Sequence, residues 1–170
     1  MVTAAIFLII PLCLAFAAMN DLFTMTIPNR ISIVLLLSFV VVAPLAGMDL
    51  QTFSMSLVAG LAVFAASFAL FALNTMGGGD AKLLTASAVW FGFDQALAVY
   101  MVAVALFGGI LTIGILFIRS HHQQIMASGL PVPDSLLVAK KVPYGIAIAA
   151  AGLVTYPDAP IVQFAMRAMI

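Results

Sequence analysis

With 170 residues, 65% of them hydrophobic and only 7% charged, this chain is excluded from the water-soluble domains, which carry roughly 25% charged residues. Six Lys and Arg balance six Asp, so net charge is zero and no basic patch offers a nucleic-acid surface. The mean hydropathy of +1.27 and the long apolar runs define an all-α, polytopic membrane protein, because a core of this size cannot hide so much apolar surface.

A bilayer core of about 30 Å takes about 20 helical residues to cross. The first apolar run predicts a helix over 2–20, extending a turn further. It lacks a basic leader, so it reads as a retained span rather than a cleavable signal. Cys13 lies inside it and reads as a packing residue. Pro28 marks the break that follows, since proline disfavours helix in the residue before it. A second helix is expected over 29–46, with Gly47 as its stop. The third covers 53–74. The fourth is short, 81–93, with Asp94 and Gln95 as a turn. The fifth covers 96–118 and the sixth 143–156. A tail over 160–170 is too short to span and is expected at the interface. The result is a bundle of six transmembrane helices forming a single membrane-embedded domain over 1–170.

The polar segment 119–141, between the fifth and sixth helices, contains His121, His122, Pro131, Pro133 and Asp134. Loops this long are commonly functional or flexible. Adjacent histidines point in different directions on a helix, so no shared metal is expected there. The Ala105 and Gly109 pair has the small-xxx-small spacing of helix packing, and the ten methionines read as dispersed core filler.

Lys and Arg set the orientation. Arg30, Lys82, Arg119, Lys140 and Lys141 fall in alternate loops, which places those loops, including 119–141, in the cytoplasm. The opposite loops carry Asp49 and Asp94, read as solvated turn residues.

This topology puts Asp21 and Asp80 at the same inner end of the bundle. Thirteen residues make the fourth helix about 20 Å long, about 10 Å short of the hydrocarbon thickness, so Asp80 is expected below the inner surface. Gly77, Gly78 and Gly79 suit a non-helical segment that lets another backbone approach closely. Intramembrane acids are costly and mark function. Two carboxyl groups held together resist double ionisation and share one proton. One can then activate water while the other protonates a scissile carbonyl, which is aspartic proteolysis and needs neither metal nor cofactor. The helix dipole places the charge on Asp80, at a helix N-terminus, and the proton on Asp21, near a C-terminus. Proton-coupled transport competes, because transporters also use intramembrane acids beside broken helices. Lys82 either anchors the inner interface or steadies the charge of the pair; anchoring is favoured.

Three segments carry a resemblance. "GGGDAKLL" (77–84) fits a GxGD pattern ending on Asp80, followed by Lys82. "NDLFTMTIPNRIS" (20–32) places Asp21 ahead of Ile27, Pro28 and Asn29. "KKVPYG" (140–145) places Pro143, Tyr144 and Gly145 at the opening of the last helix. In order and at these helix ends, they resemble the type IV prepilin peptidase family of GxGD membrane aspartic proteases. The resemblance implies that Asp21 and Asp80 are catalytic. It implies a supporting or substrate-binding role for Gly77, Gly78, Gly79, Lys82, Pro28, Asn29, Pro143, Tyr144 and Gly145. It also implies a prepilin or pseudopilin substrate, cut after a leader glycine at the cytoplasmic face of the bacterial inner membrane.

Many members carry paired CxxC motifs between the first two helices and also methylate the new N-terminus. Here that loop is a few residues long without cysteine, so methyltransferase activity is not expected. The compact form resembles the peptidases of Tad/Flp pili; archaeal preflagellin peptidases are a related small class. Presenilin-like proteases share GxGD but carry a Pro-Ala-Leu motif, which this chain lacks.

Overall fold

The computed structural model describes residues 2–121, 123, 133, 136 and 141–167. His122, Pro131, Asp134 and Lys140 lie outside the described residues, as does most of the 119–141 segment. Every regular element among the described residues is helical: α1 (Val2–Thr24), α2 (Asn29–Leu45), α3 (Leu50–Ala72), α4 (Gly78–Phe91), α5 (Gln95–Ser120), α6 (Tyr144–Thr155) and α7 (Pro160–Arg167), with a 3-10 turn at Tyr156–Asp158 between the last two. Val2–Thr24, Leu50–Ala72, Gln95–Ser120 and Tyr144–Arg167 are long and apolar enough to cross a membrane, and Asn29–Leu45 is a shorter apolar helix.

Large apolar residues occupy both the interior and the outer surface of the bundle. Leu12, Phe16, Leu61, Ile113 and Phe117 are each at least 60% exposed, as expected of side chains solvated by lipid tails. Several contacts between helices also use small residues, since apolar burial from lipid gains little and close approach gains dispersion. Gly60 lets α3 settle onto Val89 of α4; a Cβ there would stand 2.5 Å from Val89 Cγ1. Gly152 of α6 does the same against Leu14 of α1, and Gly108 of α5 against the Tyr144 ring. The expected Ala105 and Gly109 pair does not make such a contact: the space beside Gly109 is open.

Helix α4 is the axis of the bundle. Ala81, Leu83, Leu84 and every residue from Ala86 to Phe91 are buried, enclosed by α2, α3, α5 and α6. Trp90 Nε1 donates to the Leu35 carbonyl (3.0 Å), and its ring meets Phe39 edge-on. Phe91 stacks on Tyr100 of α5 at 4.1 Å, whose hydroxyl is 2.7 Å from Ser87 Oγ. These contacts fix the height and rotation of α4, and so of the Asp80 it carries.

Several helix ends differ from expectation for local reasons. Asp49 is a cap rather than a free turn residue: its carboxylate accepts from Thr52 N–H (2.9 Å) and from the Thr52 hydroxyl (2.7 Å), starting α3 at Leu50. Asp94 likewise accepts from the Gln95 N–H (2.6 Å) and starts α5. The Thr52 backbone and side-chain donors hold the Asp49 carboxyl below its ordinary value of 3.8. Gly47, at φ +83, ends α2 as expected. At the other end of the bundle, Arg119 reaches across the 119–141 segment: its side chain donates to the carbonyls of Leu136 (2.9 Å) and Lys141 (3.0 Å). The tail forms α7, with Ile161, Val162 and Ala165 buried against α1 and α4.

Candidate active site

Asp21 stands in the last turn of α1, which runs to Thr24. It is only 5% exposed. Its Oδ2 accepts the backbone N–H of Gly145 at 2.7 Å. Gly145 lies in the first turn of α6, where backbone N–H groups have no partner within the helix; Pro143, the cap before it, brings no N–H of its own. The Asp21 carboxyl therefore fills part of the open N-terminus of α6. A side chain at position 145 would displace it, since a Cβ there falls 2.8 Å from Asp21 Oδ2 and 2.8 Å from Ile27 Cδ1.

Asp80 stands in the first turn of α4. Gly77 is the extended cap residue (φ −71, ψ 143), and Gly78 and Gly79 are helical rather than part of a non-helical run. Helix starts here because Asp80, three residues beyond the cap, interacts with the Gly77 N–H, the reach-back of a capping box. A Cβ at Gly77 would lie 2.6 Å from Asp80 Oδ2. Gly79 faces the α1–α2 connection, with its Cβ position 3.2 Å from Ile27 Cβ. Ile27 thus sits between Gly79 and Gly145, joining the surroundings of the two aspartates.

The charges of Asp21 and Lys141 both act on Asp80, so the two carboxyl groups share one electrostatic neighbourhood. Asp80 faces the N-terminal end of α4, whereas Asp21 stands in the last turn of α1 with its Oδ2 on the N-terminal end of α6, so at Asp21 the fields of two helix ends oppose each other.

A cavity of about 600 Å³ adjoins Asp80. Met101, Val104 and Ala105 of α5 give it an apolar wall; Asn74, Gly77, Lys141 and Tyr144 surround its polar end. The expected supporting residues therefore divide. Gly77, Tyr144 and Gly145 adjoin the aspartates or this cavity. Gly78 contacts the Phe71 ring of α3. Pro28 caps α2. Lys82 and Asn29 bond to each other, Nζ to Oδ1 at 3.0 Å, beside a different cavity.

Lys141 and Asn74 were not singled out from the sequence as neighbours of Asp80. Lys141 carries a signal only as part of "KKVPYG". Asn74 adopts φ +58, which asparagine tolerates better than most residues, and it stands two residues beyond α3. Met25, at φ +54, closes α1 four residues after Asp21, and its residue type gives no hint of that conformation. Among the described residues no group of three His, Cys, Asp or Glu side chains could hold a metal.

The model of the type IV leader peptidase family matches residues 8–118, spanning both aspartates. A prepilin leader peptidase/N-methyltransferase of Aeromonas hydrophila is 31% identical over 137 residues, covering 78% of this chain and 42% of that protein. One from Aeromonas salmonicida is 36% identical over 77 residues, covering 45% of this chain and 21% of the relative. The chain thus spans less than half the length of these relatives. No solved structure matches.

Proposed function

The chain belongs to the type IV leader peptidase family, and on that premise we propose that it is a membrane-embedded aspartic endopeptidase that removes the leader from a type IV prepilin. The observation that supports the reading is that Asp21, held by the Gly145 N–H, and Asp80, beside Gly79, flank the same Ile27, with Asp80 lining a cavity that has an apolar wall. One carboxylate takes a proton from water as the water oxygen bonds to the scissile carbonyl carbon. The other carboxyl gives its proton to the carbonyl oxygen. The tetrahedral intermediate collapses, the C–N bond breaks, and a proton passes to the leaving amine. Gly77 and Gly145 serve as positioning residues: their lack of side chains leaves room for each carboxyl group.

In this reading the pair faces the cytoplasm from the bacterial inner membrane. The basic residues Arg30, Lys82 and Arg119, near the ends of α2, α4 and α5, and Lys141, just before α6, support that side. The connection between α1 and α2 contains no cysteine, which favours a peptidase of the small Tad/Flp type without methyltransferase activity.

The test is co-expression of the chain with a candidate type IV prepilin, read by gel shift and mass of the product. A product shortened by the leader, with an unmodified N-terminus, is expected. An uncut prepilin, together with proton flux in proteoliposomes, would favour transport instead.

A further inference from the structure

Lys82 turns away from the catalytic cavity, and its surroundings form a separate site. A second cavity, about 340 Å³, opens between α2, α3 and α4. Lys82 and Asn29 border it, joined by their hydrogen bond, with Thr85 and Ser32 beside them and Ile33 and Phe64 as apolar walls. Asp80 and Asp21 do not line it.

Three observations point to an anionic occupant with an apolar body. First, Lys82 is exposed, and no salt bridge to it is found among the described residues; its bond to the neutral Asn29 amide leaves its charge uncompensated. Second, Ser32 is only 6% exposed, and its Oγ is a buried polar atom without a hydrogen-bond partner among the described residues. A buried hydroxyl left in that state is costly, and it rotates readily to suit an acceptor. Third, the cavity far exceeds the roughly 30 Å³ that a bridging water occupies, and its apolar walls offer such a water little. Free phosphate would satisfy the lysine and the hydroxyl but leave those walls without a partner.

We propose that this cavity binds an anionic phospholipid, its headgroup held by Lys82, Asn29 and Ser32 and an acyl chain lying along Ile33 and Phe64. The site joins the starts of α2 and α4 and stands independently of the protease reading, since it shares no residue with the aspartate pair.

Native mass spectrometry of the detergent-purified full chain tests it, with phosphatidylglycerol and phosphatidylcholine of matched acyl chains. Phosphatidylglycerol should be preferred by about fivefold or more, the effect of one basic residue at a charged membrane surface. Lys82→Gln should abolish the preference and Lys82→Arg retain it, with thermal unfolding confirming that both variants fold. Arg30→Gln removes a neighbouring surface charge and should leave the preference intact. Equal binding of the two lipids would overturn the proposal. So would an unchanged preference in Lys82→Gln, or an equal loss in Arg30→Gln, which would indicate diffuse surface charge. Displacement of the lipid by millimolar inorganic phosphate would identify a simple anion site instead.

Discussion

At the scale of single residues, the site depends on side chains that are missing as much as on those present. Gly145→Ala puts a methyl group 2.8 Å from Asp21 Oδ2 and against Ile27, so the carboxyl group must move. Misplacing a reacting group by about 1 Å can cost on the order of 10²-fold in rate; a loss of that order in kcat, with normal membrane insertion, is expected in a purified cleavage assay. Gly114→Ala provides the control, because nothing lies within 4 Å of its Cβ position, and its rate should match that of the unchanged protein. The two aspartates were legible because an acid among apolar residues is expensive and topology put both at one end. The Gly145 N–H partner of Asp21 was not: a bond spanning 124 positions leaves no local pattern. Only the "KKVPYG" segment marked its neighbourhood.

At the scale of elements, hydropathy identified each apolar helix, while its ends depended on capping chemistry. The α3 start came three residues earlier than expected because Asp49 caps it, and the α4 start likewise because Asp80 reaches back to Gly77. Asp49 gives a pH test with a definite sign. Its folded pKa is depressed below 3.8, so its stabilisation is fully present above the unfolded value and is lost as pH falls through the folded one. The difference in melting temperature between Asp49→Ala and the unchanged protein should be constant near neutrality and shrink below pH ~4. Close packing makes a second test. Gly108→Ala sets a methyl 2.5 Å from the Tyr144 ring, and overpacking of this kind costs about 1–3 kcal/mol. Detergent-phase thermal unfolding should show that loss, whereas Gly109→Ala, with open space around it, should be neutral.

At the scale of the whole molecule, hydropathy made the helical bundle readable, while the lateral openings of the bundle depended on which helices touch. The sequence places the starts of α2, α4 and α6 and the end of α1 together, and the Lys82–Asn29 and Gly145–Asp21 bonds join them in those pairs. The divergence of Lys82 from Asp80 onto separate cavities could not be read from two residues two positions apart across Ala81; it follows from the rotation of α4 set by Trp90 and Phe91. Orientation has its own measurement. With Cys13 replaced by Ala, Thr26→Cys should react with an impermeant thiol reagent only from the cytoplasm, and Gln51→Cys only from the opposite side. Labelling of both from one side would refute the six-span arrangement.

The most direct measurement of the central claim is cleavage of a purified prepilin by the reconstituted chain and by Asp21→Asn and Asp80→Asn, scored by mass spectrometry at the leader junction. Loss of a general acid or base costs typically 10²–10⁴-fold, so each substitution should reduce product formation by at least about 10²-fold while insertion and thermal unfolding stay normal. Near-normal cleavage by either variant would contradict a mechanism built on this pair of carboxyl groups.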